Sequence, residues 1–230
     1  MTASVAVVAA HPDDEVLGCG GVMARHAQDG DDVHVLIVAE GITSRNDDRG
    51  LGHQGDALSA LAEAAHAANR QLGARSVTLL GYPDNRLDSV DLLDLAKAIE
   101  AFFRQRAPEV VYTHHGSDLN VDHSRVHQAV VTASRPYPDQ AVRRLLFFEV
   151  PSSTEWQVPI TVDAFRPNYF VEIAGTLDRK LAALACYESE MRPWPHARSL
   201  RAVEALARWR GANVGVEAAE AFSLGRQILR

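Results

Sequence analysis

The sequence contains little cysteine and no long apolar run. Its two cysteines, Cys19 and Cys186, lack the close spacing of common metal-binding and redox motifs. No apolar run approaches the about 18 residues that a membrane span needs, and the N-terminus lacks the basic and apolar regions of a secretory signal. We therefore expect a cytoplasmic protein without disulfides and without a membrane span.

Basic residues are also scarce. The 23 lysines and arginines are outnumbered by 30 aspartates and glutamates, which gives the 230-residue chain a formal net charge of −7. No basic run is longer than a pair such as Arg143-Arg144, which argues against binding nucleic acid through its phosphates. A small-molecule partner, phosphorylated or not, stays open, and so does a homo-oligomer.

Several familiar catalytic motifs are missing. The chain has no P-loop and no GxSxG nucleophile elbow. The glycines of Gly18-Cys19-Gly20-Gly21 come too late after the first strand for a dinucleotide-binding turn, so they predict close packing of a helix on the sheet. Cys19 within this run is better explained as a small buried residue than as a nucleophile.

Short β-branched runs alternate with longer helical stretches along the chain. This alternation predicts one α/β domain, residues 1–230, with a mostly parallel sheet flanked by helices. The predicted strands are Ser4–Ala10, Val33–Val38, Ser76–Leu80, Glu109–Thr113, Leu145–Val150 and Tyr169–Ile173. The predicted helices are Val16–Gln28, Asp56–Leu72, Val90–Arg104, Asp122–Ser134, Asp178–Glu188, Ser199–Arg210 and Val216–Leu229.

Polar residues cluster after the predicted strands. In an open α/β sheet the ligand lies beyond the carboxyl ends of the strands, so these segments should meet at one edge. The segments that follow the first four strands are His11–Glu15, Glu40–Arg49, Gly81–Arg86 and His114–His123.

A divalent metal is the ligand that the first of these segments favours. His11, Asp13 and Asp14 offer nitrogen and oxygen ligands within four residues. Another ligand can come from His123 or His127, which are four residues apart and share a helix face, and spacing does not choose between them. The alternative is that the two aspartates only cap the helix that follows and that the histidines are surface residues.

Three arginines are candidates for substrate contacts. Arg45, Arg49 and Arg86 lie in the loops after the second and third strands, where an anionic or hydroxyl-rich substrate would sit. The alternative is that they are ordinary solvated charges.

Two sequence blocks resemble the zinc-dependent N-deacetylases of the PIG-L/LmbE type. The blocks are Ala10-His11-Pro12-Asp13-Asp14-Glu15 and Asp118-Leu119-Asn120-Val121-Asp122-His123. The segments Lys180–Ser189 and Ala219–Phe222 also match family blocks, so the resemblance covers nearly the whole chain. It implies a Rossmann-like fold and removal of an acetyl group from an N-acetylglucosamine-type sugar or a related small N-acyl amide.

The resemblance also implies a role for each matched residue. His11, Asp14 and His123 correspond to the ligands of one Zn²⁺ per chain, which another divalent ion can replace. Asp13 corresponds to the general base that assists attack of the zinc-bound water on the amide. Asp122 would orient a ligand from behind, and His127 would support the helix face or the pocket.

One position departs from the family pattern. Many members carry a histidine that stabilises the oxyanion where this chain has Asn120. Asparagine donates a hydrogen bond but carries no proton at neutral pH, so Asn120 retains only the electrophilic part of that role. We expect His114 or His115 to supply the acid catalysis that Asn120 cannot, or to contact the substrate.

Two other classes of protein would use a similar pattern. A metal-dependent phosphoesterase typically needs two ions about 3.5 to 4 Å apart, whereas the residues here provide ligands for one. A non-catalytic sugar-binding module would have no use for Asp13, a carboxylate beside the metal that is not a ligand.

Overall fold

A single seven-stranded sheet runs through the protein. The computed structural model describes residues 2–43, 55–158 and 163–229. The strands are β1 Ser4–Ala9, β2 Asp32–Ala39, β3 Ser76–Tyr82, β4 Val110–His114, β5 Arg144–Phe148, β6 Tyr169–Glu172 and β7 Ala219–Gln227, in the order β3-β2-β1-β4-β5-β7-β6. Strands β1 to β5 are parallel, and β7 runs antiparallel to β5 and β6. The predicted α/β fold with a mostly parallel sheet is confirmed.

Helices cover both faces of this sheet. They are α1 Asp14–Gln28, α2 Gly55–Leu72, α3 Leu92–Arg106, α4 Val121–Ala133, α5 Leu177–Ala185 and α6 Leu200–Ala212, with a short 3-10 turn at Leu87–Ser89. Val5 and Val7 of β1 pack with α1, α2, α5 and α6, whereas Ala6 and Val8 pack with α3 and α4. Alternate residues of a strand point to opposite faces, so the continuously apolar β1 fills two cores.

The C-terminal segment corrects the sequence prediction. We expected a helix over Val216–Leu229, but Ala219–Gln227 forms β7 between β5 and β6. Alanine, glutamate and leucine favour a helix locally, but the ladders to both neighbouring strands outweigh that weak preference. The preceding helix prediction was nearly right, since α6 covers Leu200–Ala212.

The glycine run packs α1 closely against the sheet. A Cβ at Gly18 would lie 2.3 Å from the ring of Phe148 in β5, and one at Gly21 would lie 2.7 Å from Ile173. The helix is also kinked within this run, because Cys19 has φ −149° and ψ 24°. The glycines therefore serve the helix packing that the sequence predicts, and Cys19 is a buried free thiol.

A buried ion pair satisfies the backbone groups at this kink. Glu220 of β7 accepts the N–H groups of Gly21 at 2.9 Å and Val22 at 2.7 Å. Lys180 of α5 donates to the Leu17 carbonyl at 2.8 Å and to Glu220 at 2.6 Å. The pair thus replaces the helical hydrogen bonds that the kink removes.

Cys186, like Cys19, is a free cysteine. Among the described residues, no helix combines the length and apolar character that a membrane crossing requires.

Candidate metal centre

Two loops at the carboxyl edge of the sheet form the candidate site. Strands β1 and β4 are parallel neighbours, so the loop from β1 into α1 and the loop from β4 into α4 leave the sheet side by side. The first loop carries His11 and Asp13 and ends at Asp14, and the second leads to His123 in the first turn of α4. Two segments more than a hundred residues apart therefore meet at one point.

Three predicted ligands converge there. His11 Nδ1 and His123 Nε2 each lie 3.1 Å from Asp14 Oδ2, and the ligand atoms of the three residues lie within 4.8 Å of one another. Of the two histidines that spacing left open, the structure brings His123 into this group. The Nδ1 of His127 instead lies 2.9 Å from the carbonyl oxygen of His114.

The donor set fits a divalent ion. Asp14 and His123 are fully buried, yet Asp14 Oδ1 has no hydrogen-bond partner among the described residues, and His123 Nε2 makes no aligned hydrogen bond although it lies 3.1 Å from Asp14 Oδ2. Leaving such atoms unsatisfied costs about 1 to 3 kcal/mol each. Two imidazoles and one carboxylate are the ligand types of three-ligand zinc sites. A cation at this point would satisfy both atoms.

The electrostatics of the pocket also favour positive charge. Burial lowers the pKa of His11, but hydrogen bonds to Asp122 and Asp14 outweigh burial and raise it to about 10. Burial likewise opposes charging of His123, but the charge of Asp14 and the contact with Asp118 raise its pKa to about 9. A bound dication would take the place of these protons, since metal ligands must be deprotonated.

In both histidines, the ring nitrogen that does not face Asp14 contacts another carboxylate. His11 Nε2 lies 3.0 Å from Asp122 and 3.2 Å from Asp84, and His123 Nδ1 lies 3.1 Å from Asp118. Such partners fix the ring orientation and the tautomer of a ligating histidine. Asp122 therefore contacts His11, and its orienting role stays a prediction; the similar contacts of Asp84 and Asp118 were not predicted from the sequence.

His11, Asp84 and Asp122 also cluster closely enough to hold an ion. This second group uses the other nitrogen of His11, so two ions would have to share one imidazole. We interpret the two carboxylates as hydrogen-bond partners that orient His11 for the first group.

Asp13 is held in an unusual backbone conformation. Its φ is +109°, a region that residues other than glycine rarely adopt. Its N–H donates to Glu15 at 3.1 Å, and the Glu15 carboxylate also accepts from Tyr187 at 2.6 Å and Asn69 at 2.8 Å. This buried network, centred on Glu15, fixes the turn that separates Asp13 from its neighbour Asp14.

Arg198 is the main site residue that sequence reasoning missed. Its Nη1 lies 3.0 Å from Asp13 Oδ2, and its Nε donates to Ser152 at 2.7 Å. Burial raises the pKa of Asp13 well above its usual value, and the Arg198 charge opposes that shift. Arg198 arrives from an irregular segment before α6, where no motif marks it.

A small polar cleft opens in front of these groups. It has a volume of about 80 Å³, and its lining residues are His11, Pro12, Asp13, Gly41, Asp84, Asn85, Asn120, Glu190 and Arg198. Asn120 caps α4, because its Oδ1 accepts the N–H of Asp122 at 2.8 Å, and its Nδ2 donates to Asn85 at 3.0 Å. Among the described residues, the second N–H of the Asn120 amide has no such acceptor and is available to a ligand.

The other predicted substrate residues lie outside this lining. His114 is fully buried, stacks on the ring of His123 at 4.0 Å and accepts the Ala10 N–H at 2.8 Å. The structure therefore places His114 behind the ring of His123 and outside the residues that line the cleft, and its contact with substrate stays a prediction. His115 lies 3.1 Å from the Asp163 carbonyl and packs on Phe165.

Of the three arginines predicted to contact substrate, the structure describes Arg86. Arg86 precedes the 3-10 turn, is partly exposed and is not among the residues that line the cleft. Arg45 and Arg49 lie outside the described residues.

Comparison with known proteins gives the family. Residues 6–134 match the PIG-L family, described as GlcNAc-PI de-N-acetylase. An uncharacterized deacetylase of Escherichia coli K12, YaiS, is 30% identical over 190 residues, which cover 80% of this chain and 90% of that one. The diacetylchitobiose deacetylase of Thermococcus kodakarensis is 27% identical over 78% of this chain and 67% of its own.

Not every relative is named as a deacetylase. The 4-oxalmesaconate hydratase of Pseudomonas putida is 30% identical over 84% of this chain and 76% of its own. Among solved structures, a conserved protein of Thermus thermophilus superposes with a TM-score of 0.77 at 25% identity and covers 100% of this chain and 97% of that one. The matched region contains both loops of the candidate metal centre, and the chain belongs to the PIG-L family of de-N-acetylases.

Proposed function

We propose that this protein is a zinc-dependent deacetylase that removes an acetyl group from an N-acetylglucosamine-type sugar or a related small N-acyl amide. The observation that carries the proposal is the position of Asp13, a buried carboxylate next to the His11, Asp14 and His123 group but not part of it. The family match supports the same chemistry.

The three clustered side chains would hold the ion. A zinc ion bound by His11, Asp14 and His123 would supply Lewis-acid activation of a water molecule and of the amide carbonyl. The carboxylates behind the two histidines keep the ligating nitrogens aimed at this point.

Asp13 would move the proton. It accepts a proton from the attacking water and returns it to the departing amine nitrogen. Arg198 favours the ionised form of Asp13, because its guanidinium lies 3.0 Å away and opposes the rise in the pKa of Asp13 that burial causes. The strained turn at Asp13 holds this carboxylate at the cleft, away from the ligand Asp14.

Asn120 would stabilise the negative charge that develops on the carbonyl oxygen. Its amide lines the cleft and has an N–H not used by Asn85 or by the helix cap. This interpretation keeps the electrophilic role expected of Asn120 and gives it no role in proton transfer.

Acetate release tests the proposal. The zinc-loaded protein should contain one zinc per chain and should release acetate from N-acetylglucosamine or from N,N′-diacetylchitobiose. Phosphate release from phosphoesters together with two ions per chain would favour a phosphoesterase, and sugar binding without acetate release would favour a binding module.

The hydratase relative supplies the second candidate. Addition of water to a carbon–carbon double bond would use the same base and the same cation site. Hydration of an unsaturated tricarboxylate, with no acetate from any N-acetyl sugar, would replace the deacetylase proposal.

A further inference from the structure

An exposed tryptophan stands on a segment that is tied to the candidate active site. Trp156 is 51% exposed and lies in the turn that follows β5. The hydroxyl groups of Ser153 and Thr154 in the same turn donate to Asp118, the carboxylate behind His123. The position of Trp156 is therefore fixed relative to the metal ligands.

The same turn is also tied to the proposed base. Ser152 accepts a hydrogen bond from Arg198 Nε at 2.7 Å, and Arg198 Nη1 lies 3.0 Å from Asp13. The rings of His196 and Trp156 pack edge to face, with their centroids 5.7 Å apart. His196 Nδ1 accepts a hydrogen bond from the backbone N–H of Arg198 at 3.0 Å. Trp156 thus contacts His196, which in turn bonds to the backbone of Arg198, a residue that lines the cleft.

The other two tryptophans do not share this position. Trp194 is 53% exposed, but the guanidinium of Arg201 lies over its ring at 4.5 Å. Trp209 is 64% exposed on α6, and among the described residues that helix contributes none to the lining of the cleft. Trp156 alone of the three combines an exposed ring with a connection to the site.

The cleft itself is small relative to a two-ring sugar. Its volume is about 80 Å³, so the second ring of a two-ring substrate must extend over the rim. The turn that carries Trp156 meets the cleft through Ser152 and Arg198, on the side of Asp13.

We propose that Trp156 and His196 form a subsite for a second pyranose ring attached to the acetamido sugar; this inference rests on the proposed function. A pyranose has an apolar C–H face that stacks on the electron-rich face of an indole ring. Its hydroxyl edge needs polar partners. Because His196 Nδ1 accepts a hydrogen bond, the proton of the neutral ring is on Nε2, which can donate to a hydroxyl.

Kinetics on a one-ring and a two-ring substrate test the subsite. Acetate release would be measured from methyl N-acetylglucosaminide and from N,N′-diacetylchitobiose with the zinc-loaded parent, Trp156→Ala, Trp156→Phe and the control Trp209→Ala. For the two-ring substrate, Trp156→Ala should lower kcat/KM by about three- to tenfold, mainly through KM. The one-ring substrate should be unaffected, and Trp156→Phe should retain most of the parent value.

Two outcomes would overturn the subsite. An equal loss of kcat/KM on both substrates would make Trp156 a structural residue. A parental kcat/KM of Trp156→Ala on the two-ring substrate would move the second ring elsewhere. If the parent releases no acetate from either substrate, the proposed deacetylase function fails, and binding then tests the subsite separately. In an NMR titration with N,N′-diacetylchitobiose, weaker binding to Trp156→Ala but not to Trp209→Ala would support it, and equal or absent binding would overturn it.

Discussion

Arg198 Nη1 lies 3.0 Å from Asp13 Oδ2, although the two residues are 185 positions apart in the chain. The pair joins the loop after β1 to the segment before α6 and closes the cleft on one side. Asp13 is buried beside Asp14, Glu15 and Glu190, which all raise its pKa, so the single guanidinium supplies the main opposing charge.

Removal of this charge should change the pH dependence. In Arg198→Met the pKa of Asp13 rises further, so the ionised base is lost at a higher pH than in the parent. The acidic limb of the kcat/KM profile should therefore shift to higher pH, with activity partly recovered as pH increases. The matched control is Arg192→Met, since among the described residues the exposed Arg192 side chain donates to the carbonyls of Ser189 and Met191. A uniform loss at every pH would contradict the electrostatic role.

The choice of third ligand is a direct prediction. His123→Ala should abolish zinc retention after dialysis, because His123 Nε2 lies beside Asp14. His127→Ala should mostly retain zinc, since that ring contacts the His114 carbonyl instead. Zinc content measured by atomic spectroscopy decides the matter, and the reverse pattern would show that the wrong histidine was assigned.

Asp118 should tune metal affinity without being a ligand. Asp118→Asn removes the carboxylate that faces His123 Nδ1, and loss of such a partner typically costs about 10- to 100-fold in metal affinity. Competition with a zinc chelator would measure the change. The exposed Asp88→Asn is the control, and an Asp118→Asn affinity equal to that of the control would exclude this role.

The ion pair at the α1 kink should matter for stability. Lys180→Met leaves Glu220 buried without its partner, at a cost of about 3 to 5 kcal/mol in the free energy of unfolding. The double variant with Glu220→Gln should lose less than the sum of the single variants. Glu204→Gln, which breaks an exposed pair with Arg208, should leave the stability close to that of the parent. Urea unfolding compares them, and additive losses would show that the pair is not coupled.

The parts of the site that the sequence predicts are local. His11, Asp13 and Asp14 lie in one loop directly after a buried strand, so their place at the sheet edge follows from the strand pattern alone. The pairing of that loop with His123 follows because β1 and β4 are both parallel strands.

The parts that were missed depend on distant contacts. Arg198 comes from an irregular segment, and its role arises only when that segment folds onto Asp13. The β7 segment has a helical composition, and only its place between two strands makes it a strand. Asp84 was visible at a strand end, but only the structure shows that it faces His11 Nε2.

The comparison of Asp13→Asn with Asp14→Asn tests the account most directly. Asp13→Asn keeps the size of the side chain but removes the proton acceptor, so zinc should stay bound while kcat falls by about 10² to 10⁴. Asp14→Asn should weaken zinc binding, because it removes the negatively charged ligand. Zinc content and kcat are measured on both variants side by side. A fully zinc-loaded Asp13→Asn protein with a near-parental kcat would contradict the assignment of Asp13 as the base.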